Sequence, residues 1–425
     1  MKRCRLTLFV LVSCAVLVAG TVGWAGNWPA WRGPAHNGVC AETGLPVEWS
    51  ATKNIAWKAA MPGKAGSTPV IWNDRIFLTS GDGNDLALLC LSTKGKTLWQ
   101  RKVAAAVRLA IKYDEANEAS ASPSTDGKHV YVFVGSGHCA CFDFDGNEVW
   151  KFNVQQRYGE FSIQHGVHTT PLLYEDKLYL SLLHSNGHWI VALDKATGKE
   201  VWKIERQSDA EGESREAYAS PCLWQTAKET TLVILGCDYT TGHSLKDGSE
   251  IWRLGDLNPK EGYSKALRII ATPVPTPDLL VVPTARGGLV VALKPGPRGL
   301  LKAGSSFEQW RIAKGSPDVP SPLVHDGLVY LQRENGLLLC LDAQTGKTLY
   351  QERLHVDRYR ASPVYADGKV YLTSRDGTFH VVKAGPKFEV LASNKLPDIF
   401  TASPAVANGR LYLRGFSTLW AIAAK

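Results

Sequence analysis

The chain has 425 residues, of which 44% are hydrophobic and 21% charged, and a formal charge of +8 at pH 7. That hydrophobic content excludes a disordered chain. No run of Lys or Arg exceeds two residues, so the electrostatic footprint of a nucleic-acid binder is missing.

Residues 1–25 read as a signal peptide. Lys2, Arg3 and Arg5 form a basic start, Leu6 to Val18 is a short apolar run, and Gly23-Trp24-Ala25 offers small residues at −3 and −1 of a cleavage site. Without the leader, 45 basic residues stand against 40 acidic ones, a mildly basic surface. Leu11-Val12-Ser13-Cys14 also fits a lipobox, but the apolar run continues past Cys14 to Val22. Soluble export to the periplasm or cell envelope is favoured, with membrane contact only if Cys14 is lipidated. Residues 26–50 form a lead-in segment, containing NWPAWRGPAHNGV from Asn27 to Val39.

From residue 51 to 425 the chain repeats itself. ALDKATGKEVW (Ala192 to Trp202) is an alternating strand, a polar turn with Gly198 suited to positive φ, and a second strand opening at Val201-Trp202. Weaker copies are CLSTKGKTLW, CFDFDGNEVW, SLKDGSEIW and CLDAQTGKTLY, ending at Trp99, Trp150, Trp252 and Tyr350. Ser or Thr followed by Pro and an apolar strand recurs at Pro69, Pro123, Pro171, Pro221, Pro273, Pro322, Pro363 and Pro404, in steps of 54, 48, 50, 52, 49, 41 and 41 residues. Proline cannot donate to a ladder and is expected at the first residue of each strand. Eight such units of four strands predict an all-β, eight-bladed propeller. The last unit supplies three strands and stops. Its fourth is predicted in NIAWKAAMPG, with Trp57, so an N-terminal strand closes the ring.

Trp57, Trp99, Trp150, Trp202, Trp252, Trp310 and Tyr350 are expected to dock blade against blade. Of nine cysteines, seven lie beyond the leader. Cys90, Cys141 and Cys340 share a small, buried slot on the third strand with Ala192, Ser244, Ala292 and Ala421. Cys222 and Cys237 flank the first turn of blade four, where a cross-strand disulfide is conceivable. Residues 104–119, 256–268 and 294–308 read as long loops, the usual place for function on a rigid scaffold.

Residues just before each Ser/Thr-Pro should ring one channel mouth: Lys64, Glu118, His165, His168, Glu216, Tyr218, Arg268, Asp318, Arg358, Tyr359, Arg360 and Asp398. Lys64, His165, His168, Arg268, Arg358 and Arg360 are the candidate ligand-binding residues among them; a solvated rim is the competing reading. His165 and His168 have no partner at metal-ligand spacing, and HExxH, CxxC and G-x-S-x-G are all missing, so neither a metal nor a catalytic residue is expected.

The eight repeats, the Ala-x-Asp-x-x-Thr-Gly-Lys-x-x-Trp pattern and the lead-in resemble the quinoprotein (PQQ-like) propeller superfamily. Its members include quinoprotein alcohol dehydrogenases and the outer-membrane assembly lipoprotein BamB. The resemblance implies either of two functions. One is a non-catalytic exported scaffold, without cofactor, that binds another envelope protein or a polar ligand at its loops and channel mouth. The alternative is a small PQQ-dependent alcohol or sugar dehydrogenase using Ca2+. The dehydrogenases carry adjacent cysteines, whereas Cys139-Ala140-Cys141 is the closest approach here, and no Cys-x-x-Cys-His segment follows.

Overall fold

The computed structural model describes residues 26–107 and 117–424, so the leader and most of the 104–119 loop lie outside the described residues. Eight antiparallel four-stranded sheets, two of them extended by a fifth, parallel strand, make up the ring. In blade one the strands are Val70–Trp72, Arg75–Asp82, Asp85–Ser92 and Thr97–Ala105, running from the axis outward. The sequence-predicted closure holds. Ile55–Ala60 pairs antiparallel with Thr418–Ala423, and Trp57 faces Ala421, so the outermost strand of blade eight comes from the N-terminal side. Closure from both ends gives blade eight its full four strands. No helix among the described residues is long and apolar enough to cross a membrane.

Each Ser/Thr-Pro proline stands one residue ahead of its innermost strand rather than within it. The residue before it explains the pattern. Its backbone N–H donates to the hydroxyl of the equivalent Ser or Thr in the next blade, as from Thr68 to Ser122 at 3.0 Å and from Ser362 to Ser403 at 3.0 Å. At the closing blade the Thr68 hydroxyl instead donates to the Ser403 carbonyl at 3.2 Å. A residue followed by proline cannot continue into a normal ladder on that side, and the neighbouring hydroxyl satisfies its buried N–H.

The tryptophans join blades at the outer radius. Trp57, Trp99, Trp150, Trp202 and Trp310 donate Nε1–H to carbonyls of Thr93, Phe144, Lys195, Leu245 and Ala343 in the following blade, at 2.8–3.1 Å. Each indole lies on that blade's turn glycine: Gly95, Gly146, Gly198, Gly248 and Gly346, all with φ of 67–86°. A Cβ at any of them would stand 2.7–2.9 Å from the ring. Glycine is therefore fixed twice there, by backbone angle and by contact. Trp202 and Trp310 are buried, whereas Trp57, Trp99 and Trp150 are only half-buried.

Three blades depart from this pattern, and in one of them, blade six, Tyr350 holds the docking position and packs on Phe388 of blade seven with ring centroids 5.5 Å apart. In blade four the residue opposite Trp252 is Gly242, so the shared small slot falls there and not at Ser244. Trp252 folds back over Gly242 into its own blade, and Trp224 supplies the bond to the next one, Nε1–H to the Thr276 carbonyl at 2.9 Å. In blade seven the docking position is Ala392. The lead-in compensates: Trp49 is buried against Tyr371 and Phe379, and its backbone N–H donates to Asn394 Oδ1 at 2.8 Å.

The Cys222–Cys237 disulfide is not formed, and all seven described cysteines are free and buried. Strand register places Cys222 opposite Val233, while Cys237 sits in the turn with φ 48°. The two side chains join separate cores on opposite faces of the sheet. Of the long loops, 294–308 contains a strand, Gly299–Leu301, that adds in parallel to the outer edge of blade four.

Candidate functional site

The lead-in runs across the propeller axis. Trp28 bridges to Ile71 of blade one, the Pro29 carbonyl accepts the Thr125 N–H of blade two at 2.9 Å, and Val39–Cys40 pairs in parallel with Tyr365–Ala366 of blade seven. Between these anchors Arg32 is buried. Its guanidinium donates to the carbonyls of Pro322 at 2.7 Å and Pro363 at 3.1 Å, two prolines of the repeated marker, and to Asn37 at 2.9 Å. Desolvation holds its pKa down to about 9, still charged at neutral pH.

Beside this crossing segment lies an axial cavity of about 840 Å3, with Trp31 in its wall. The innermost strand starts contribute Ser122, Thr170, Ser220, Thr272, Ser362 and Ser403, and the preceding loops contribute the charged groups. Of the sequence candidates, His165, His168, Arg268, Arg358 and Arg360 line the cavity together. Lys64 does not; it is exposed, with Nζ 5.8 Å above the Phe416 ring. Tyr218 and Asp318 also line the cavity. Glu118 turns away to accept the Val107 N–H at 2.9 Å, Tyr359 is buried, and Asp398 accepts the N–H and hydroxyl of Ser417.

Asp318 organises the charge. Its carboxylate is 2% exposed and receives three guanidinium groups, from Arg286 at 2.5 Å, Arg360 at 3.4 Å and Arg268 at 3.8 Å. Glu334 faces Arg286 at 3.5 Å, and Glu213 faces Arg268 at 3.8 Å. His165 Nε2 lies 3.3 Å from Arg268 Nη1, and its carbonyl meets His168 Nε2. That contact makes Nε2 the protonated nitrogen of a neutral His168, and burial holds its pKa down to about 4. Tyr218 donates to Glu216 at 3.1 Å, and burial pushes its phenol far above the usual range.

Sequence reasoning missed Trp31, Arg286, Glu334, Arg353 and Asp357, all of which line the cavity. Arg286 and Glu334 sit in turns between second and third strands, as ARGG and RENG, a position the pre-proline rule did not sample. Trp31 belongs to the lead-in, whose path over the axis leaves no periodic signal. In all, five arginines and three carboxylates line the cavity, a net positive wall. A separate trio, His355, Asp357 and Asp376, stands at its edge with donor atoms within 4.8 Å of one another, but Lys395 already occupies Asp376 Oδ2 at 2.6 Å.

A family model described as outer membrane protein assembly factor BamB matches residues 137–296 and 299–385. No curated protein sequence matches the chain. Among solved structures, BamB from Moraxella catarrhalis is similar at 15% identity, TM-score 0.62, covering 87% of this chain and 99% of that one. The quinohemoprotein alcohol dehydrogenase of Comamonas testosteroni is similar at 12% identity, TM-score 0.68, covering 94% and 81%. A europium-containing methanol dehydrogenase gives 13% identity, TM-score 0.57, covering 92% and 90%. At these identities the structural likeness shows the propeller fold alone.

Proposed function

The chain belongs to the family of the outer membrane protein assembly factor BamB, and on that premise we propose that it is an exported, non-catalytic propeller whose cavity mouth and loops hold an envelope protein or a polar, anionic ligand. The observation that carries this reading is the axial cavity with five arginines against three carboxylates, bordered by the crossing lead-in. Carboxylates or phosphates entering it would compete with Asp318 for guanidinium groups already converged on one point. Val356 stands 77% exposed at the rim, an apolar contact for a partner segment. The test is a photo-crosslinking residue at Val356 in the cell: a discrete adduct with one envelope protein, weakened by Arg358→Ala with Arg360→Ala, supports the reading. No adduct, together with no anion binding by calorimetry, removes it.

The same arginines and the indole of Trp31 favour a second reading, a PQQ-dependent oxidoreductase, because a planar tricarboxylated quinone needs cations and a flat wall. The metal partner of such a quinone fits poorly. Calcium demands several carboxylate and carbonyl oxygens, and the most buried carboxylate lining the cavity, Asp318, is enclosed by three guanidinium groups. Purification from the periplasm, followed by a search for quinone absorbance and stoichiometric metal, separates the two readings.

A further inference from the structure

We propose that the mature protein begins at Gly26, and that the α-ammonium group created there forms an ion pair with Glu42 that fastens the crossing lead-in to blade eight. This rests on the export reading. Two observations meet at this residue. In the sequence, Gly23 and Ala25 offer the small side chains a leader peptidase requires at −3 and −1. In the structure, the Gly26 nitrogen lies 2.9 Å from Glu42 Oε1.

Glu42 is already a clamp. Oε1 also accepts the Asn408 N–H at 2.8 Å, and Oε2 accepts the Gly409 N–H at 2.5 Å, both in the first turn of blade eight. As a peptide amide, Gly26 brings one neutral hydrogen to this carboxylate. Cleavage of the Ala25–Gly26 bond by water would leave the carboxyl on Ala25 and the amine on Gly26, which takes a proton at neutral pH. The contact then becomes charge-assisted, the stronger kind of hydrogen bond.

A side chain at residue 26 would crowd this clamp, since a Cβ there would stand 2.8 Å from Asn408 Oδ1. The next two residues are held as well: Asn27 Oδ1 accepts the Asn73 N–H at 2.7 Å, and Trp28 exchanges both backbone bonds with Ile71 at 2.8 and 2.9 Å. These contacts of Gly26, Asn27 and Trp28 follow directly on the bond the leader pattern marks. A chain processed at the rival site, with Cys14 as a lipidated first residue, would keep Gly26 as an amide and lose the ion pair.

The test has two arms. N-terminal sequencing of the protein from the periplasm should read Gly-Asn-Trp; an exported chain beginning at lipidated Cys14 or elsewhere overturns the inference and leaves the ligand and partner reading standing. A chain found only in the cytoplasm defeats the export reading instead. In the second arm, Tm is followed from about pH 7 to about pH 10, across the ordinary α-amino pKa of ~7.7–8.0. Glu42 raises the ammonium pKa in the folded state, so the stabilisation is full below the unfolded value and is lost as pH rises through the folded one. The mature chain should lose roughly 1–2 °C more than a chain with three residues added ahead of Gly26. Glu42→Gln should abolish the difference, and if that variant fails to fold, the extended chain alone decides. Identical pH profiles for the mature and extended chains overturn the ion pair.

Discussion

The backbone N–H of Thr170 donates to the side-chain hydroxyl of Ser220 at 2.9 Å, across a blade boundary and 50 residues of sequence. The Ser220 N–H in turn donates to Thr272 at 3.0 Å, and Thr272 to Ser321 at 2.9 Å. These links are buried and lie next to the axis, so they tie neighbouring blades where their strands are closest. Ser220→Ala should leave the Thr170 N–H buried without an acceptor and cost about 1–3 kcal/mol in urea unfolding. Ser220→Thr keeps the oxygen and should cost much less.

At the outer radius, Trp202→Ala should cost roughly 3–5 kcal/mol, the range for emptying a large aromatic site. Gly248→Ala should also destabilise, because it meets the Trp202 ring and takes a left-handed φ of 76°. If Trp202→Ala leaves the melting temperature unchanged but abolishes binding of a ligand, the docking role is wrong.

Ring closure makes residues near the N-terminus matter to the far end of the chain. A mature chain truncated after Lys58 loses most of the strand Ile55–Ala60, together with Arg32 and Trp49. It should lose cooperative unfolding in blades seven and eight first, read by hydrogen exchange at Leu411 to Leu413 and at Tyr371. Full protection there would contradict the closure.

Acid should destabilise the protein through buried neutral histidines. Burial holds His168, His184, His243 and His380 down to about 4. The unfolded chain binds protons near pH 6.5, so their contribution is complete above that pH and is lost as pH falls from about 6.5 toward 4. His243 is the clearest case: Arg206 Nε donates to the Thr241 hydroxyl, which meets His243 Nε2 at 2.8 Å, while Nδ1 meets the Gly248 carbonyl at 2.9 Å. A neutral ring protonated on Nδ1 satisfies all three. His243→Gln should lower stability at pH 7 and flatten the acid slope of Tm.

Incubation with PQQ and Ca2+ should yield no dye-linked alcohol or sugar dehydrogenase activity. Weak, substoichiometric PQQ binding through the arginines is compatible with that. Tight one-to-one binding with turnover, lost in Arg358→Ala, would move the protein to the enzyme class.

The sequence alone determined the ring. Eight Ser/Thr-Pro sites fixed the blade count, and the gap in the last unit assigned the strand of Trp57 to the last blade, because strand periodicity and proline's missing donor are local properties. Five of the six ligand candidates could be named because pre-strand loops of a propeller must meet at its axis. What only the tertiary structure decided is how one blade answers another. Gly242 rather than Ser244 faces Trp252, and Trp49 fills the place blade seven leaves at Ala392, since both depend on register and contact between distant segments. Likewise Lys64 swings out over Phe416 while Arg286 and Glu334 turn in, and the lead-in carries Trp31 to the cavity wall. Side-chain direction at a loop tip, and the path of an aperiodic segment, are set by charges and carbonyls supplied by residues hundreds of positions away, as Arg32 is by Pro322 and Pro363.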